Sequence, residues 1–130
     1  MFRIINKLKN RKGFTLIELI VVLAVLAIIM AIAVPRFLGV QEDAREDADY
    51  STGAMIAKAA ELYYAKTETT ADVSAQDLID DNYINGIEFQ SSDFDGVDLD
   101  TEVTVSTSGS TITVTIVNDG GTTETLYPRP

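Results

Sequence analysis

The chain has 130 residues, 46% of them hydrophobic, a formal net charge of −10, and neither cysteine nor histidine. Without those two residue types, disulfides, thiolate metal sites and hydrolysis of the Ser-His-Asp or Cys-His kind are excluded. The charge is also polarised. Met1 to Gly13 carries Arg3, Lys7, Lys9, Arg11 and Lys12 and no acid, whereas Arg36 to Pro130 carries 19 acids and five bases, a net of −14. So acidic a segment repels nucleic acid and anionic surfaces, and suits a basic partner or divalent cations.

The first element after the basic leader is apolar. Leu19 to Val34 contains no polar side chain, and the run from Phe14 is broken only by Thr15 and Glu18. As a helix, those 21 residues span about 30 Å, the thickness of a bilayer's hydrocarbon core. The positive-inside rule keeps the leader in the cytoplasm and sends the acidic segment outside. Three readings compete for this front end. One is a signal-anchor helix tethering an external domain. Another is a secretory signal cut after Ala31-Ile32-Ala33, against which the apolar run is long and Pro35 follows the cut closely. The third takes Glu18 seriously, because an ionisable residue inside a span is a functional candidate. Eleven Leu, Ile and Val residues at roughly −0.3 to −0.6 kcal/mol each outweigh one carboxylate at about +3, so Glu18 does not prevent insertion. No basic residue follows until Arg36, so a compensating cation must come from another molecule or from a newly cut amino terminus.

The stretch Arg11-Lys12-Gly13-Phe14-Thr15-Leu16-Ile17-Glu18-Leu19 resembles the processing motif of type IV pilin precursors. That resemblance is close over residues 11 to 40 and architectural beyond them. It implies removal of the leader after Gly13 by a membrane aspartic peptidase and N-methylation of Phe14. It also implies pairing of Glu18 with the amino terminus of a neighbouring subunit during filament assembly. A buried charge is costly unless paired, so such a Glu18 would disfavour misplaced subunits and fix register.

Proline inside a helix removes the bond to the carbonyl four residues back, here Ala31. Pro35 therefore reads either as a stop at the membrane surface or, by the resemblance, as a kink in one long helix. In that family the segment before this proline, here Ala27 to Pro35, partly unwinds; Ala27, a strong helix former, stands where many relatives carry glycine. From Gln41 to about Lys66 the pattern is amphipathic. Ala44, Ala48, Ser51, Met55, Leu62 and Ala65 recur at mostly three- and four-residue steps and predict one apolar face. Glu42 to Asp49, EDAREDAD, reads as a solvated acidic face with Arg45 in reach of Glu42 or Asp49, the alternative being contact between subunits across the filament.

Thr67 to Asp72 reads as a loop. Ser74 is placed to cap a short helix beginning at Ala75 and ending by Asn82, with a turn at Asn85-Gly86. The period then changes to two in Glu102–Ser106, Thr111–Ile116 and Thr122–Tyr127, with turn sequences at Ser108-Gly109 and Asn118–Gly121. Val103, Val105, Ile112, Val114 and Ile116 share one face, which the amphipathic half of the long helix is expected to cover. The chain lacks the two cysteines that staple the C-terminal loop in many type IV pilins, so strand pairing near Leu126-Tyr127 is expected to hold the terminus. Asp93, Asp95, Asp98 and Asp100 around Gly96 are weak candidates for calcium, as in some pseudopilins, although their spacing is not that of an EF-hand. The Ser/Thr density from Thr101 to Thr125 reads as β-propensity, with O-glycans as the alternative.

The expectation is an α+β fold, a long helix (a transmembrane half and an amphipathic half kinked at proline) packed on a small antiparallel β-meander. Its parts are a leader over 1–13, a hydrophobic helix over 14–35, an amphipathic half over 36–66 and a small domain over 67–130. The function implied is a structural subunit of a type IV pilus, a homo-oligomeric helical filament. Its partners would be the membrane, the prepilin peptidase and the pilus assembly machinery, with no nucleic acid. No cofactor, firm metal site or catalytic constellation is expected, so the chain does not read as an enzyme. The alternatives are a type II secretion pseudopilin and a tethered or secreted binding domain that does not polymerise.

Overall fold

The computed structural model describes residues 13–130, and most of the basic leader lies outside them. The chain divides into two compact units, one ending at Gly39 and the other running Val40–Pro130. Helix α1 covers Leu16–Thr67, 52 residues with Pro35 in its interior. Pro35 therefore does not stop the helix, and the residues from Ala27 to Pro35 are helical throughout. In the first unit every described residue is exposed. An 18-residue window of the helix reaches a mean hydropathy of 3.1 with none of it buried, so the helix is long and apolar enough to cross a membrane.

The second unit places the rest of α1 against a four-stranded antiparallel sheet, with β1 (Val73–Ser74), β2 (Val103–Ser108), β3 (Thr111–Val117) and β4 (Thr123–Tyr127) in the order β1-β2-β3-β4. Two-residue periodicity gives β2 and β3 one buried face, comprising Val103, Val105, Ile112, Val114 and Ile116, and one of Thr and Ser. The turn between them uses Gly109 at φ +65°, a conformation open to glycine at no steric cost. Strand β1 falls just after the expected loop and pairs Val73 with Val105.

Helix α2 (Ala75–Asp80) starts as expected. Ser74 accepts from the Asp77 N–H while the Asp77 carboxylate accepts from the Ser74 N–H, satisfying two end donors reciprocally. The chain reverses at Asp81-Asn82, with Asn82 at φ +59°, rather than at Asn85-Gly86. A single 3₁₀ turn, Ser92–Phe94, interrupts the long connection to β2.

The face that α1 turns to the sheet differs from the expected one. Buried are Asp49, Gly53, Ile56, Ala57, Ala59 and Ala60. Ala44, Ser51, Met55, Leu62 and Ala65 are exposed, and Ala48 is half-buried. The reason is distance: a helix settles closest to a sheet where its side chains are small. A Cβ added at Gly53 would lie 2.5 Å from the Leu126 Cβ. Leu126 is the extra residue of a β-bulge, since Thr115 pairs with Thr125 while Val114 pairs with Tyr127.

Candidate functional site

At the start of α1, Gly13 and Phe14 are exposed and non-helical, and Phe14 is 92% exposed. The peptide bond between them is thus accessible. The Thr15 N–H donates to Glu18 Oε2 at 2.8 Å and its hydroxyl donates to the same oxygen at 3.0 Å. The Glu18 N–H faces Thr15 Oγ1 at 3.3 Å. These bonds make a capping box, in which the helix's third residue serves its own N-cap. Glu18 thus has a hydrogen-bonding partner within its own chain, though not the compensating cation. Thr-x-x-Glu ahead of an apolar run is a readable signature of a helix start. The box satisfies hydrogen bonds but supplies no positive charge, and among the described residues no basic side chain pairs with the carboxylate.

The acidic stretch Glu42 to Asp49 is not merely a solvated face. Asp49 is 1% exposed, and its two oxygens accept from the Gln90 and Ser91 N–H groups at 2.7 and 2.8 Å. Glu42 Oε1 accepts from the Ser92 N–H at 3.2 Å and the Ser92 hydroxyl at 3.0 Å. Those Ser92 bonds, with Arg45 alongside at 3.4 Å, hold the Glu42 carboxyl below its ordinary range. Two carboxylates on one face of the helix, two turns apart, thus pin the segment from Gln90 to Ser92. Arg45 meets Glu42 and not Asp49.

The C-terminus is held by strand pairing of Tyr127 with Val114, as expected, and by a second device that sequence reading missed. Arg129 reaches Asp47 at 2.6 Å and stacks over the Tyr50 ring at 4.5 Å. Tyr63 and Tyr64, near the end of α1, both pack against the domain's core. The Tyr64 hydroxyl lies 3.1 Å from the carbonyl oxygens of both Ala71 and Val105, and burial pushes its phenol up, with Asp72 adding to the effect.

The calcium candidates do not converge. Asp98 spends its oxygens on its own loop, accepting from the Asp100 N–H at 3.0 Å and the Thr101 hydroxyl at 3.1 Å. Asp100 faces the Ser74 hydroxyl at 3.4 Å. Among the described residues no three acidic side chains gather to hold a metal ion. The spacing around Gly96 serves a hydrogen-bonded loop.

Comparison with known proteins agrees with this geometry. The family model for the prokaryotic N-terminal methylation motif matches residues 8–34. A Thermus thermophilus protein named as the major component of a type IV narrow pilus is 35% identical over 115 residues, covering 88% of this chain and 93% of the relative. Prepilin peptidase-dependent protein A of Clostridium perfringens is 39% identical over 67 residues, covering 51% of this chain and 48% of that one. No solved structure matches the chain significantly. The chain belongs to the type IV pilin family. Its long helix on a four-stranded antiparallel sheet has the pilin-like α+β form.

Proposed function

We propose that the chain is made as a membrane-anchored precursor, cut after Gly13 by a prepilin peptidase, methylated at Phe14 and polymerised into a pilus on the cell surface. The observation that carries this reading is the first unit of α1. Its apolar residues are exposed from Phe14 onward, with Leu16 at 78% and Ile28 at 64%. Such a surface needs lipid before assembly and neighbouring helices afterwards. The pilus named for the Thermus relative and the peptidase named for the Clostridium relative both support it. The parts follow: leader over 1–13, filament-core helix over 14–35, its amphipathic continuation over 36–66 and the outer domain over 67–130.

Glu18 is the assembly residue of this proposal. In the membrane its carboxylate has the Thr15 hydrogen bonds and, among the described residues, no cation. Cleavage creates an ammonium group at Phe14, and pairing Glu18 with that of a neighbour neutralises both charges in a low-dielectric bundle. Pro35 breaks the hydrogen-bond ladder at Ala31, which makes that turn the place where the helix adjusts to its neighbours.

Two measurements test this. The intact mass of protein from its host should correspond to a start at Phe14 carrying one added methyl group. A start at Val34 would make the front end a secretory signal, and a start at Met1 a simple tether. Glu18→Ala should leave the protein accumulating in the membrane while surface filaments disappear; normal filaments from that variant would remove Glu18 from assembly.

A further inference from the structure

Val40–Pro130 holds nineteen carboxylates, and fifteen of them are exposed. They are spread over the whole unit, from Asp43 and Glu61 on α1 and Asp80 on α2 to Glu88 and Asp95 in the connection and Asp119 at the last turn. Against them stand four basic side chains, each already engaged inside the same unit. Arg45 lies on Glu42 at 3.4 Å, Lys58 on Glu61 at 2.9 Å and Arg129 on Asp47 at 2.6 Å. Lys66 lies 5.6 Å from the centroid of the Tyr83 ring. One domain therefore has no uncommitted cation to offer the carboxylates of another. Apart from Arg36, just ahead of the unit, positive charge between domains must come from solution.

The amount of charge makes this more than a statement about solubility. In water two unit charges interact with thermal energy at about 7 Å, and a line of charges spaced more closely than that gathers a condensed layer of counterions. The 52 residues of α1 have a contour of about 78 Å. Subunits whose helices bundle must overlap, so the rise per subunit is shorter than that contour. With a net of −14 from Arg36 onward, the filament carries at least one charge per about 5.6 Å at its most extended stagger. Every closer stagger is denser, so the condition holds for any helical arrangement.

We propose that the assembled filament is a cation-condensing polyanion whose lateral association is governed by multivalent cations, the shared chemistry of Mg²⁺ and of polyamines. This rests on the filament reading above. Multivalent ions displace several condensed monovalent ions at a time and bridge facing carboxylates, so they act through valence rather than ionic strength alone.

The test uses filaments sheared from the host, followed by low-speed sedimentation and light scattering during titration with NaCl, MgCl₂ or spermidine. Bundling is expected at a midpoint about tenfold or more lower for Mg²⁺ than for Na⁺ and lower again for spermidine, and NaCl added below its own midpoint should raise the Mg²⁺ and spermidine midpoints by competition. The combined variant Asp43→Asn, Asp72→Asn, Glu88→Gln and Asp95→Asn removes four carboxylates that make no side-chain hydrogen bond, and should narrow the spread between the Mg²⁺ and Na⁺ midpoints. Midpoints that follow ionic strength irrespective of valence would overturn the proposal, as would filaments still dispersed in saturating spermidine. Absence of any filament from cells holding the processed protein would instead overturn the filament reading, and this inference with it.

Discussion

Asp49 is a charged residue placed where a charge is tolerable only with its bonds complete. Its two oxygens take the Gln90 and Ser91 N–H groups, and the residue is 1% exposed. Asp49→Ala strands two donors and removes charge-assisted bonds, a loss of about 3 kcal/mol. Amide exchange at Gln90 and Ser91 should accelerate in that variant, and unchanged protection there would show that the segment is held by something else. Glu42 acts beside it with a pH signature. Its pKa is depressed in the folded chain, so its contribution is complete above the ordinary value of 4.5 and is lost as pH falls through the lower folded value. Thermal melting between about pH 6 and pH 3 should fall more steeply for the native chain than for Glu42→Gln below that point. Equal slopes would show that the Ser92 bonds carry no stability.

For α1, the decisive quantity is the distance between helix and sheet. Alanine is better than glycine in a helix by about 1 kcal/mol, so Gly53→Ala on a free helix would stabilise. Here the new Cβ would sit 2.5 Å from Leu126 Cβ and 3.1 Å from its carbonyl carbon, so backbone as well as side chain must move. Overpacking of this kind costs about 1–3 kcal/mol and outweighs the propensity gain. The expected net effect is a melting temperature roughly 5 °C lower for a domain of this size. A rise in melting temperature would mean that the Leu126 bulge shifts freely. Gly39, with open space around it, is the contrasting case in which alanine gains propensity with no clash.

At the scale of the whole molecule, the two units call for opposite surroundings. The first is an exposed apolar helix start; the second is an acidic domain whose cations are all spent internally. A pilus subunit reconciles them by burying the first in a bundle and leaving the second in water. The Glu18→Ala, mass and bundling experiments belong to this scale because each is read out only on the processed or assembled protein.

What the sequence determined by itself was whatever depends on near neighbours. The apolar run, the Gly13-Phe14 processing motif, the Ser74 cap and the alternating strands Val103–Ser108 and Thr111–Val117 are local patterns, and period and capping chemistry are written in consecutive residues. The Thr15–Glu18 box is equally local, a Thr-x-x-Glu pattern in consecutive residues. Only the tertiary structure decided which face of α1 meets the sheet. Large apolar residues such as Met55 and Leu62 dominate a periodicity count, while the sheet selects Gly53, Ala57 and Ala60 because small side chains let the two surfaces approach. It also decided that Asp49 and Glu42 face a segment more than forty residues away, and that Arg129 returns to Asp47. A carboxylate's sequence shows its charge; which N–H groups satisfy it depends on where the chain comes back.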